Sequence, residues 1–164
     1  MNNRKPNKTK KYYQGYYTLM NKQKYIGNPQ KVTYRSRWEF FFMQYCDMNE
    51  QIVKWGSEVV TIPYQDEKGG FHRYYPDFYI EMRDKNDPEK YQRIVAEIKP
   101  KNEMKMPEPP KKDTLKAYES YEYQLKMFQK NILKWQSAKA FCDKKGLKFI
   151  LLNEDHLKES KIML

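Results

Sequence analysis

The sequence has little cysteine, no long apolar run and too few acids to balance its bases. Cys46 and Cys142 are the two cysteines in 164 residues. They show neither metal-ligand spacing nor a disulfide framework, so a disulfide-stapled secreted scaffold is excluded and a reducing setting is expected. The apolar stretches at 40–43 and 149–152 are short. None approaches the roughly 20 residues that span a bilayer, so no transmembrane helix is expected. The first residues are basic without an apolar stretch behind them, so no signal peptide is expected. Residues 1–11 contain no acid at all.

What is present is basic and aromatic. Thirty-two Lys and Arg face 21 Asp and Glu, for a net charge of +11 and a pI near 9.4. The partners this charge selects are polyanions: nucleic acid, an acidic protein face or an anionic membrane surface. Aromatics make up 16% of the chain, against 39% for all hydrophobic residues. A disordered chain would be poor in aromatics, so one folded domain with a small aromatic core is expected.

Residues 1–24 read as a basic, Tyr-rich arm. Its lysines are either a solvated tail or phosphate contacts. Tyr12, Tyr13, Tyr16 and Tyr17 offer a base-stacking surface, with packing on the domain as the default. The spacing of Trp38, Phe41, Phe42 and Tyr45 predicts a helix over 35–47. Strands are predicted at 57–64, 71–82 and 93–99, with a Gly-Gly turn after the first. A Pro/Lys-rich loop covers 101–114. A long helix follows, carried by Tyr121, Leu125, Phe128, Ile132, Trp135, Ala138 and Cys142 and closed by Gly146. A strand at 147–152 and a short helix at 154–160 complete the chain. The order α-β-β-β-α-β-α gives an α/β layer fold on a mixed sheet of four or five strands, its last strand parallel to one already present.

Chemistry concentrates in Pro76-Asp77 and Glu97-Ile98-Lys99. A hairpin centred near Asp87 brings Asp77 opposite Glu97, ~5 Å apart. Glu97 and Lys99 share a face of their strand. Opposed carboxylates repel unless a positive ion lies between them, and Mg²⁺ prefers such hard oxygens. The Ile98 carbonyl is a further candidate ligand, and Lys99 stands where it could orient a water or neutralise a phosphorane. The set suits metal-assisted hydrolysis of a phosphodiester. A surface ion pair is the plain alternative for Glu97 and Lys99, but their strand is apolar at almost every other position. Ser36-Arg37-Trp38-Glu39 fits a capping box, which explains Glu39 without any metal as well as a metal role does. His72 and Cys142 read as surface or packing residues.

These residues resemble the PD-(D/E)xK nuclease pattern. The longer match covers Tyr34-Arg35-Ser36-Arg37-Trp38-Glu39, Trp55-Gly56-Ser57-Glu58, Ile62-Pro63-Tyr64, His72-Arg73-Tyr74-Tyr75-Pro76-Asp77-Phe78, Glu97-Ile98-Lys99-Pro100 and Asn131-Ile132-Leu133-Lys134-Trp135. It is similar to the TnsA-like head-completion nucleases of tailed phages, from about residue 25 to 157. The resemblance implies a restriction-endonuclease-like core over 25–164. It implies a metal-dependent site at Glu39, Asp77, Glu97 and Lys99, with Mg²⁺ as the cofactor and Mn²⁺ as the other option. Asp77, Glu97, Glu39 and the Ile98 carbonyl would be the ligands. Arg35, His72, Arg73 and Lys134 match family positions and are assigned to DNA contact or site support. Asn153-Glu154 departs from the Thr-Glu of relatives, outside the site. The implied role is cutting double-stranded DNA, with little sequence specificity, before head-tail joining. The implied place is the infected bacterial cytoplasm or the virion, and portal or neck proteins are the implied partners; no membrane partner is expected. The competing reading is a non-catalytic DNA-binding protein of the phage head or neck. A sequence-specific restriction enzyme is a third, disfavoured by the lack of a recognition domain.

Overall fold

A computed structural model describes residues 13–162. The basic residues 1–11 and Tyr12 lie outside the described part. The segment from Tyr13 onward is packed on the domain. Strand β1 (Gly15–Tyr16) pairs antiparallel with β2 (Thr33–Tyr34). Tyr17 and Leu19 enter the main core, while Tyr13 and Tyr16 of this segment are exposed.

Helix α1 (Arg37–Met48) begins two residues inside the predicted 35–47, directly after its N-cap Ser36, and runs one residue past it. Ser36 is extended and its hydroxyl accepts from the Glu39 amide at 3.1 Å, satisfying a donor that the first helical turn leaves orphaned. Strand β3 (Ile52–Ser57) follows, then a hairpin of β4 (Ile62–Gln65) and β5 (Phe71–Tyr74). Next come β6 (Phe78–Arg83), β7 (Tyr91–Ile98), the 31-residue α2 (Leu115–Lys145), β8 (Lys148–Leu152) and α3 (Glu154–Glu159). The main sheet is mixed, in the order β3-β6-β7-β8, with only the β7–β8 pair parallel.

Two predicted strands are each split in two. The stretch read as one strand at 57–64 contains the end of β3 and most of β4. Between them Glu58 takes a left-handed φ of 53°, which ends the extended run. The stretch read as 71–82 breaks at Tyr75-Pro76-Asp77, because proline has no amide to give to a ladder. β5 therefore pairs with β4, and β6 with β3 and β7. The β4–β5 hairpin forms a separate two-stranded sheet. Without it the order is α1-β3-β6-β7-α2-β8-α3, the arrangement expected from the sequence.

The sheet buries its two faces differently. Ile94, Ala96 and Ile98 of β7 face α1 and α3, where Phe42, Trp55 and Phe78 form the larger core. Full burial of side chains of this size is worth about 1.5–3 kcal/mol each. Alternation then turns Val95, Glu97 and Lys99 toward α2. On that side Trp135 and Ala138 of α2 pack on Ile62, Tyr64 and Tyr74 of the hairpin. All the buried residues of α2 lie in its second half, from Asn131 on. Gly146 ends the helix at φ 67°, a left-handed cap that side-chain-bearing residues adopt at a cost. No described helix is long and apolar enough to cross a membrane.

Candidate active site

Asp77 and Glu97 are brought together by the pairing of β6 with β7. The register Phe78↔Ala96 and Tyr79↔Val95 continues to Asp77 opposite Glu97, as the hairpin argument requires. The link is then fixed by hydrogen bonds. The Asp77 amide donates to Glu97 Oε2 at 3.3 Å, and the Ile98 amide donates to Asp77 Oδ2 at 2.7 Å. The Tyr74 hydroxyl donates to Glu97 Oε2 at 2.9 Å. Lys99 Nζ stands 3.5 Å from Glu97 Oε1. Among the described residues, Asp77 Oδ1 accepts no hydrogen bond.

Burial sets the electrostatics. Glu97 is 6% exposed, and taking its carboxylate out of water pushes its pKa up, against the pull of Lys99 and Tyr74. Asp77 is pushed well above the carboxylate range by burial and then by Glu97, with Glu39 adding in the same direction. A buried carboxylate and a half-buried one stand together, and one ammonium, paired with Glu97, lies beside them. The oxygen left over, Asp77 Oδ1, is a hard donor, and the carbonyl of Ile98 lies on the same edge of β7 as the amide that holds Asp77. That donor set suits a small oxygen-seeking cation better than one preferring nitrogen or sulfur. No cluster of three or more His, Cys, Asp or Glu side chains among the described residues makes a ready ligand set.

Glu39 is occupied by its helix. The Ser36 hydroxyl donates to Glu39 Oε1 at 3.1 Å and the Arg35 amide donates to Oε2 at 2.9 Å. The Ser36 N-cap is therefore formed, but Glu39 reaches back to the Arg35 amide in place of the Ser36 amide that a capping box uses, and its carboxylate is still near enough to raise the pKa of Asp77. Arg35 is mostly exposed and its guanidinium meets Glu58 at 2.5 Å, which holds its pKa up. The Glu58 amide in turn donates to the Asp77 carbonyl at 3.0 Å. This left-handed residue thus braces the strand break beside Asp77.

The remaining sequence candidates divide. Lys134 projects from α2 over the rings of Tyr74 and Tyr64, 5.4 and 5.9 Å from their centroids. Half-buried, with Lys130 nearby, it has a lowered pKa. His72 lies farther along the hairpin, stacked on Tyr64 and paired with Asp66 at 2.6 Å. Arg73 is exposed on the opposite face of β5. Cys46 and Cys142 are buried thiols, both raised by burial, the second to about 11. Tyr74 escaped the sequence reading as a site residue. Its one signal was its place three residues before Asp77, on the far side of Pro76.

Comparison with known proteins gives a consistent picture. Residues 49–154 match the family described as TnsA-like endonuclease N terminal. The chain is 37% identical over 147 residues to the head completion nuclease of Enterobacteria phage T4, covering 89% of this chain and 94% of that protein. No solved structure matches.

Proposed function

The chain belongs to the TnsA-like endonuclease family, and from that premise we propose that it is a divalent-metal-dependent DNA endonuclease with little sequence specificity. The observation that carries this is the pair of half-buried Asp77 and buried Glu97, hydrogen-bonded across β6 and β7, with Lys99 just past the end of β7. Asp77 and Glu97, with the Ile98 carbonyl, would hold the cation, and Glu39 is a further carboxylate whose charge reaches Asp77. When bound, Mg²⁺ or Mn²⁺ would supply positive charge to a phosphodiester oxygen and make a water a better nucleophile.

The chain's own groups do the rest. The Ile98 amide fixes Asp77 Oδ2 and leaves Oδ1 for the ion. Tyr74 fixes Glu97 Oε2. Lys99 stands beside Glu97 where charge would build on the phosphate during cleavage, and a preplaced ammonium there stabilises that charge without reorganising. The net charge of +11 draws the DNA backbone to the protein. The name of the T4 relative supports a role in head completion, which would place the protein in the infected cell or on the virion, in contact with the portal or neck.

The test is incubation with supercoiled and linear DNA in Mg²⁺, in Mn²⁺ and in EDTA, beside Asp77→Ala. Metal-dependent cleavage by the wild type alone is expected. A folded, DNA-binding wild type that never cuts would favour the structural-protein reading.

A further inference from the structure

A cavity of about 490 Å³ opens between the turn at Lys101–Met104, the stretch that follows it, and the middle of α2. It adjoins the candidate active site. Lys99, paired with Glu97, lines it, and so does Lys134, whose ammonium covers the Tyr74 ring. Lys105 adds a third ammonium, against one carboxylate, that of Glu103. Met127 and Phe128 form an apolar wall.

Asn131 decides what the cavity is for. It is 7% exposed, it lines the cavity, and its carboxamide has no hydrogen-bond partner among the described residues. Its carboxamide is enclosed by protein yet faces the cavity with its bonding capacity unused by the chain. The carboxamide offers two donors and an acceptor to whatever enters. Inorganic phosphate would use the lysines and leave the wall and Asn131 unmatched. A purely apolar ligand would strand three ammonium groups. A nucleotide matches all three surfaces at once.

We propose that this cavity binds one nucleotide, its phosphate at Lys99 and Lys134, its base against Phe128, and Asn131 on the hydrogen-bonding edge. This rests on the reading that Asp77 and Glu97 hold the reacting phosphodiester, which makes the bound unit the one joined to that phosphate.

The probe is thymidine 5′-monophosphate, titrated calorimetrically into the full chain in EDTA, with thymidine and inorganic phosphate titrated separately. The monophosphate is expected to bind at least about tenfold more tightly than either fragment. Asn131→Leu should weaken it about fivefold or more, and so should Lys105→Glu, whose exposed position keeps the test usable if the buried variant fails to fold. Monophosphate binding no tighter than phosphate, or unchanged in the folded variants, overturns the pocket and leaves the endonuclease reading standing. Wild-type cleavage by Asp77→Ala overturns that reading instead, and the titration still reports on the pocket.

Discussion

The Tyr74 hydroxyl reaches Glu97 Oε2 at 2.9 Å although β5, which carries Tyr74, does not pair with β7. The contact crosses the break at Pro76 and ties the separate β4–β5 hairpin to the candidate site. Hydrogen bonds to charged groups are worth about 1.5–3 kcal/mol. Tyr74→Phe keeps the ring under Lys134 and removes only the donor. Single-turnover cleavage in Mg²⁺ should fall by roughly tenfold or more, and the melting temperature should drop by about 3 °C or more as the buried carboxylate loses its donor. An unchanged rate would mean that Glu97 is held without the phenol.

Asp77→Asn should separate stability from activity. In the folded protein the Asp77 carboxyl is raised above its ordinary range, chiefly by burial. A group raised on folding stabilises fully below its unfolded pKa, and that stability is lost as pH rises through the folded value. Asparagine cannot ionise and escapes the loss. In EDTA near pH 8, Asp77→Asn should melt about 2–4 °C above the wild type, with the gap closing toward pH 5. Saturating Mg²⁺ should raise the wild-type melting temperature and leave that of the variant where it was. A variant that melts lower at pH 8, or responds equally to Mg²⁺, contradicts the assignment.

Glu39 serves its helix cap in the structure, and two substitutions ask whether it serves the cation as well. Ser36→Ala should cost about 1 kcal/mol of stability and leave cleavage nearly intact. Glutamine keeps an oxygen to accept from the Arg35 amide, so Glu39→Gln should fold with wild-type stability and cut about 10–100-fold more slowly. Wild-type cleavage by Glu39→Gln would restrict this residue to the cap.

Asp47 should matter for folding alone. It is fully buried at the end of α1 and accepts from the Tyr17 hydroxyl at 3.1 Å and from the amides of Met20 and Asn21 at 2.7 and 3.0 Å. Asp47→Ala strands three donors and should cost about 3 kcal/mol or more. Urea unfolding should report that loss, and cleavage per folded molecule should stay normal.

Asp77, Glu97 and Lys99 were legible because their geometry follows from strand alternation and one hairpin register. Helix α1 was legible because Ser36, Glu39 and the aromatic spacing agree. The split strands were not. β-branched Val59 and Val60 read as a strand, yet they lie in the connection after the left-handed Glu58, with Val59 exposed. Ile52 and Trp55, fully buried in β3, sit next to polar Lys54 and Gln51 and gave no clean alternation. Asp47 was invisible for another reason. Its partners lie 26–30 residues upstream in a segment without periodicity, and an acid at a helix C-terminus opposes the helix dipole. The role of Asn131 needed the cavity, since on the helix pattern it is merely one polar residue among apolar neighbours.

The register between β6 and β7 has a consequence for how this sequence can drift. A one-residue insertion or deletion inside either strand would turn the residues beyond it to the opposite face and send Glu97 or Asp77 into the α1 side of the sheet. The turn at 84–90 is exposed over most of its length, and nothing at the site depends on how many residues it holds. Changes in length among descendants of this gene should therefore collect in that turn and be purged from the two strands it joins.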